Sequence, residues 1–174
     1  DVSSQYISAL LMIGPMLSGG LTLHLSGRLI SRPYIDLTLS LMKAFGTDAA
    51  WEEDGDTPTL RVNPQPYRPV AFNVESDWSA ASYWYEIAAL CDDAIISLPG
   101  LQADSPQGDS AVARLFEPLG VTTTFADGCA VLRKCERTIG RMDCDFTNQP
   151  DLAQTFVVTC ALLGIPFRFE GLQS

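Results

Sequence analysis

Residues 77–134 read DWSAASYWYEIAALCDDAIISLPGLQADSPQGDSAVARLFEPLGVTTTFADGCAVLRK. The reading of this stretch decides the fold. Asp77-Trp78-Ser79 is a small polar start followed by apolar residues at helical spacing, which predicts a helix from Asp77 to about Cys91. The apolar run Ala94 to Leu98 predicts a strand, and a second helix follows from about Gly108 to Leu119. Val121 to Ala126 and Cys129 to Lys134 are strand-like runs separated by Asp127-Gly128, the dipeptide of a two-residue hairpin turn. With a further strand expected at Pro69 to Glu75, the stretch becomes a βαβαββ unit.

The same pattern extends outward in both directions. Ser3, Asp77 and Asp151 open helices and stand 74 residues apart; Gly46 and Gly120 close second helices at the same spacing, as do Leu41 and Leu115 within them. One supersecondary unit therefore repeats. The first copy runs as helix Ser4 to Leu17, strand Leu21 to Leu25 and helix Pro33 to Phe45, with a hairpin around Asp54-Gly55. The third has strand Met142 to Phe146, helix Pro150 to Leu163 and strand Pro166 to Phe169. The expected class is α+β, built of repeated βαβαββ units. The first helix of each copy is apolar or small nearly all round, as in Ala9-Leu10-Leu11-Met12 and Ile87-Ala88-Ala89-Leu90, so these helices are expected to be buried on most sides. Prolines 64, 66 and 69 mark a boundary between Asn63 and Asp77.

Composition narrows the partners. Eleven basic residues face twenty-one acidic ones in 174, a net charge of −10, and such a chain is repelled by phosphate backbones and anionic lipid. Nucleic acid and membrane are excluded as expected partners. The five cysteines are odd in number and lack a Cys-x-x-Cys pair, and His24 is the single histidine, so neither a disulfide framework nor a zinc site is supported. The cytoplasm is the default compartment. The start at Asp1, without methionine, suggests a piece of a longer protein.

Several residues invite chemistry. The helix opened by Ser3-Ser4-Gln5 has free N–H groups and a partial positive charge that favour a phosphate or carboxylate, although serine is also a common N-cap. Ser31-Arg32-Pro33-Tyr34 opens another, where Arg32 or Arg28 is available to pair with an anion, although proline at a helix start is ordinary. Asp151 lies in a first helical turn, where the dipole favours its ionised form; by position alone it is an end charge. Glu52-Glu53-Asp54 with Asp56 reads as a solvated hairpin tip rather than a metal site, and His24 is out of phase with the leucines beside it, facing solvent or an outer helix. Gln107-Gly108-Asp109 lacks the lysine and glycine pattern of a phosphate loop and reads as a helix start.

Taken together, Asp1-Val2-Ser3-Ser4-Gln5-Tyr6, Ser31-Arg32-Pro33-Tyr34-Ile35-Asp36, Asp77-Trp78-Ser79-Ala80-Ala81-Ser82-Tyr83, Gln107-Gly108-Asp109 and Gln149-Pro150-Asp151 resemble the EPSP synthase family of 3-phosphoshikimate 1-carboxyvinyltransferases, in order and along the whole chain. The resemblance implies parts of two lobes around buried central helices, with residues 1–74 ending the first lobe and 75–174 starting the second. It also implies transfer of the enolpyruvyl group of phosphoenolpyruvate to the 5-hydroxyl of shikimate 3-phosphate, in aromatic amino acid biosynthesis, with no metal or organic cofactor. Ser3, Ser4, Gln5, Ser31 and Tyr34 would hold shikimate 3-phosphate, and Asp151 would accept the proton. The family's early lysine, serine and arginine and its later Lys-Glu-Thr-Asp-Arg-like segment have no counterpart here, so the chain alone is expected to be inactive. A non-catalytic ligand-binding or structural module of the same fold is the alternative. Another enolpyruvyl transferase or a related cyclase is a third reading, less favoured by the two serine motifs.

Overall fold

The structure, a computed structural model, describes residues 3–27, 29–52 and 57–172. It combines helices with antiparallel sheets and one parallel strand pair in two compact units, residues 1–73 and 74–173, each with its own apolar core.

In the first unit α1 (Ser4–Ile13) leads through a 3-10 turn to β1 (Leu21–His24), and α2 (Arg32–Ala44) leads to the pair β2 (Ala49–Glu52) and β3 (Thr59–Val62). The sheet order is β1-β3-β2, with β3 antiparallel to both neighbours, so β1 and β2 run in the same direction. Ile7 and Leu11 of α1 and Ile35, Leu39 and Met42 of α2 recur at helical spacing and bury one stripe of each helix against Leu60 and Val62. α2 ends at Gly46, whose φ of 81° is the left-handed cap that lets Thr47 N–H reach Met42 O at 3.0 Å.

The second unit repeats that order: α3 (Trp78–Leu90), β4 (Ile95–Pro99), α4 (Val112–Phe116) between 3-10 turns, then β5 (Val121–Ala126) and β6 (Cys129–Lys134) in the sheet order β4-β6-β5. Asp127 and Gly128, both with positive φ (51° and 73°), form the two-residue turn, so Ala126 pairs with Cys129. β7 (Met142–Asp145), α5 (Ala153–Leu162) and β8 (Phe167–Glu170) close the unit as a parallel pair joined through a helix. Trp78, Tyr85, Phe116, Phe146 and Phe156 fill its core, with the Phe116 and Phe156 rings 4.5 Å apart.

Two expectations are corrected. Pro69 to Glu75 forms no strand; Pro69 lacks an N–H, and the segment is held by its ends rather than by a ladder. The apolar helices are not buried on most sides within their units: Leu10, Met12 and Ile13 on α1, Trp84 and Ile87 on α3, and Val157, Val158 and Leu162 on α5 are all exposed. The sheet and the one or two helices beside each of them cover part of its circumference, and an all-round apolar helix needs more neighbours than that. The expected hairpin tip at Asp54-Gly55 lies outside the described residues.

Candidate functional site

The segment after β3 fixes the orientation of α1 and α2. Gln65 N–H donates to Pro15 O at 3.0 Å and the Tyr67 hydroxyl to Met12 O at 2.8 Å, both at the end of α1. The Gln65 amide also donates to Gly46 O, and Arg68 N–H to Phe45 O at 2.8 Å, both at the end of α2. The two helices therefore finish together and start together, and they are tied near mid-length by Ser8 and Thr38, whose hydroxyls are 2.7 Å apart. Their starts lie at the carboxyl ends of β1 and β2. Helix N-termini facing the carboxyl ends of strands are where α/β sheets bind anions.

Five of the six expected site residues lie at these two helix starts. Ser3 caps α1, accepting from Gln5 N–H at 3.3 Å, with Ser4 and Gln5 in the first turn. Ser31 precedes α2 with φ 59° and ψ 36°, a left-handed backbone unusual for serine; it is buried and makes no capping bond to the helix. Tyr34, half-buried, donates its N–H to Ser31 O at 3.1 Å. Arg32 is already engaged: its guanidinium lies over the Trp51 ring, 4.5 Å from the centroid, and pairs with Asp36. Arg28 lies outside the described residues. His24 is exposed at the end of β1, with Nδ1 3.0 Å from the Thr59 hydroxyl.

Asp151 belongs to the second unit, exposed in the 3-10 turn Pro150–Leu152 that leads into α5. α5 runs beside α3, joined by Ser82 and Thr155 at 2.9 Å and by Gln154 donating to the Tyr83 hydroxyl at 3.0 Å. Both pairs lie near the helix starts, so Asp151 shares its end of the unit with Asp77, which caps α3 by accepting from Ser79 N–H at 2.8 Å.

A polar cluster beside that cap escaped the sequence reading. Glu75 accepts from the Trp78 indole and Gln102 N–H (each 2.8 Å), the Ser105 hydroxyl (2.6 Å) and the Gln107 amide (3.0 Å). Burial pushes its carboxyl up, but the bonds from Ser105, Gln102, Trp78 and Gln107 outweigh it and hold the group below its ordinary value. Gln107 in turn accepts Trp78 N–H at 3.0 Å, and the buried Asp109 accepts from the Ser79 hydroxyl, so Gln107-Gly108-Asp109 braces the start of α3 as well as opening its own helix. No pattern in one segment signals partners about thirty residues away. Among the described residues no group of three or more His, Cys, Asp or Glu is arranged to hold a metal, and no helix is long and apolar enough to cross a membrane.

Two α+β units, whose helix starts carry small polar side chains in the first and acidic ones in the second, define the class of fold. The chain belongs to the EPSP synthase (3-phosphoshikimate 1-carboxyvinyltransferase) family, whose model matches residues 1–174. It is 59% identical over 174 residues to a 3-phosphoshikimate 1-carboxyvinyltransferase of Bacteroides fragilis, covering 100% of this chain and 42% of that protein. A protein of the same name from Methanospirillum hungatei is 31% identical over 99% of the chain and 40% of the relative, and one from Xenorhabdus nematophila 36% over 91% and 36%. The chain thus spans about two fifths of the length of these relatives.

Proposed function

We propose that this chain is an internal segment of a transferase that moves the enolpyruvyl group of phosphoenolpyruvate to the 5-hydroxyl of shikimate 3-phosphate, releasing phosphate. The relatives' shared name supports the reaction, and one structural observation carries the reading to residues: the common start of α1 and α2, with Ser3, Ser4, Gln5, Ser31 and Tyr34 around it. The N–H groups and helix dipoles favour the 3-phosphate, and the hydroxyls of Ser3, Ser4, Ser31 and Tyr34 with the Gln5 amide bond it and the ring hydroxyls. Asp151 takes the proton of the 5-hydroxyl as that oxygen bonds the enolpyruvyl carbon, a general base working within hydrogen-bond reach.

On the same reading residues 1–74 end one lobe and 75–174 begin the next, each carrying the αβαββ part of a repeated βαβαββ unit, and the exposed helix faces are covered in the whole enzyme. The helix-strand-helix-hairpin order common to both units, with α1 and α3 and then β1 and β4 starting 74 residues apart, supports this. A cytoplasmic setting, no cofactor, and no nucleic acid or membrane partner complete the reading. Calorimetry of shikimate 3-phosphate on the full-length enzyme tests it: Ser31→Ala and Tyr34→Phe should each weaken binding about tenfold, the loss of one hydrogen bond to a charged group. Unchanged affinity in both would remove the assignment. The 174-residue chain alone should release no phosphate from phosphoenolpyruvate with shikimate 3-phosphate; binding without turnover in the full-length protein as well would favour the non-catalytic module.

A further inference from the structure

The left-handed backbone at Ser31 needs something to hold it. Ser31 makes no side-chain cap to the helix, and Tyr34 N–H donates to Ser31 O at 3.1 Å. The neighbouring strand engages the first turn of α2 that follows it. Trp51, on β2, carries the Arg32 guanidinium on its ring at 4.5 Å, and its indole N–H donates to Asp36 Oδ1 at 2.7 Å. Arg32 Nε lies 3.7 Å from Asp36 Oδ2, closing a triangle in which each group touches the other two. Arg32 and Asp36 are one helical turn apart and bracket Tyr34, and Ser31 is bonded directly to Arg32. The ion pair by itself is exposed on both sides and holds little; the aromatic face and the indole hydrogen bond to the carboxylate give the triangle its rigidity.

We propose that Trp51 is a positioning residue for shikimate 3-phosphate: it touches no ligand, but by fixing Arg32 and Asp36 it sets the first turn of α2 and so aims Ser31 and Tyr34. This rests on the substrate assignment proposed above. It also makes Arg32 a brace rather than a direct anion ligand. Trp51 is half-buried on an outer strand of its sheet and packs against the edge of the unit's core, so the test replaces it by leucine, which keeps an apolar side chain there.

The test uses the full-length enzyme. Trp51→Leu removes ring and donor and should raise the dissociation constant for shikimate 3-phosphate about tenfold, as displaced binding groups do, with kcat at saturation within about twofold and cooperative unfolding retained. Trp51→Phe keeps a ring for Arg32 and should recover part of the affinity. Asp36→Asn keeps an oxygen for the indole and should bind almost as the parent does. The proposal is overturned if Trp51→Leu binds normally while Ser31→Ala binds weakly, or if kcat and melting temperature fall together with affinity. Normal binding by Ser31→Ala and Tyr34→Phe would instead overturn the substrate assignment, and this inference with it.

Discussion

At Asp151 the same position supports two physical roles with different consequences. An exposed carboxylate in the first turn before α5 interacts favourably with the helix dipole, and losing that costs about 0.3–1 kcal/mol. A general base contributes about 10²-fold or more to kcat. Asp151→Ala in the full-length enzyme should therefore lower kcat by about 10²-fold or more and barely shift the unfolding midpoint; near-normal kcat with lost stability would leave only the end charge. Glu75 carries the opposite kind of prediction. Its carboxyl lies below the ordinary value of 4.5 in the folded chain, so its contribution is complete above that value and disappears as pH falls through the lowered one. Glu75→Gln should flatten the fall in urea stability between pH 6 and pH 3. It should also cost about 1 kcal/mol at neutral pH, because an amide offers one acceptor where four donors converge on two.

Between elements, the contact of α3 with α5 is a polar seam in an apolar core. Ser82 donates to Ser79 O at 2.7 Å and so receives the Thr155 hydroxyl, both groups being buried. Ser82→Ala or Thr155→Val alone should cost about 1–3 kcal/mol by stranding a partner, and the double replacement should cost less than the sum of the two, as urea melts of the four proteins would read. This seam was invisible in the sequence, where both residues sit among alanines and aromatics with nothing to pair them across 73 positions. What local chemistry dictates was legible: the Asp127-Gly128 turn and its strands, the glycine cap at Gly46, and the Ser3 and Asp77 caps all lie within a few residues of their signals. The five residues at the starts of α1 and α2 were legible as motifs, but the triangle of Arg32, Asp36 and Trp51 depends on which strand passes the helix. The expected strand at Pro69 to Glu75 failed for a related reason, since extended chain becomes a strand only beside a partner.

On the scale of the molecule, two cores of unequal size set how the chain should unfold. Among the described residues, the core of residues 1–73 rests on seven buried apolar side chains, the largest being leucines, isoleucines and methionine, under a sheet of three four-residue strands. That of residues 74–173 adds Trp78, Tyr85, Phe116, Phe146 and Phe156 to a longer sheet and a parallel pair, and each large aromatic buries roughly 150–250 Å². Small domains bury a lower fraction of their surface and are correspondingly marginal. Division at Asn73-Val74 cuts outside every helix and strand and leaves the bonds of Gln65, Tyr67 and Arg68 on one side and those of Glu75 on the other. The piece 74–174 should therefore unfold cooperatively alone, with a midpoint in urea close to that of its transition in the whole chain. The piece 1–73 should melt earlier, and Leu60→Ala, at the centre of its core, should cost about 2–5 kcal/mol and abolish its transition altogether. A single shared transition in the intact chain, together with failure of 74–174 to fold alone, would mean that the two cores act as one.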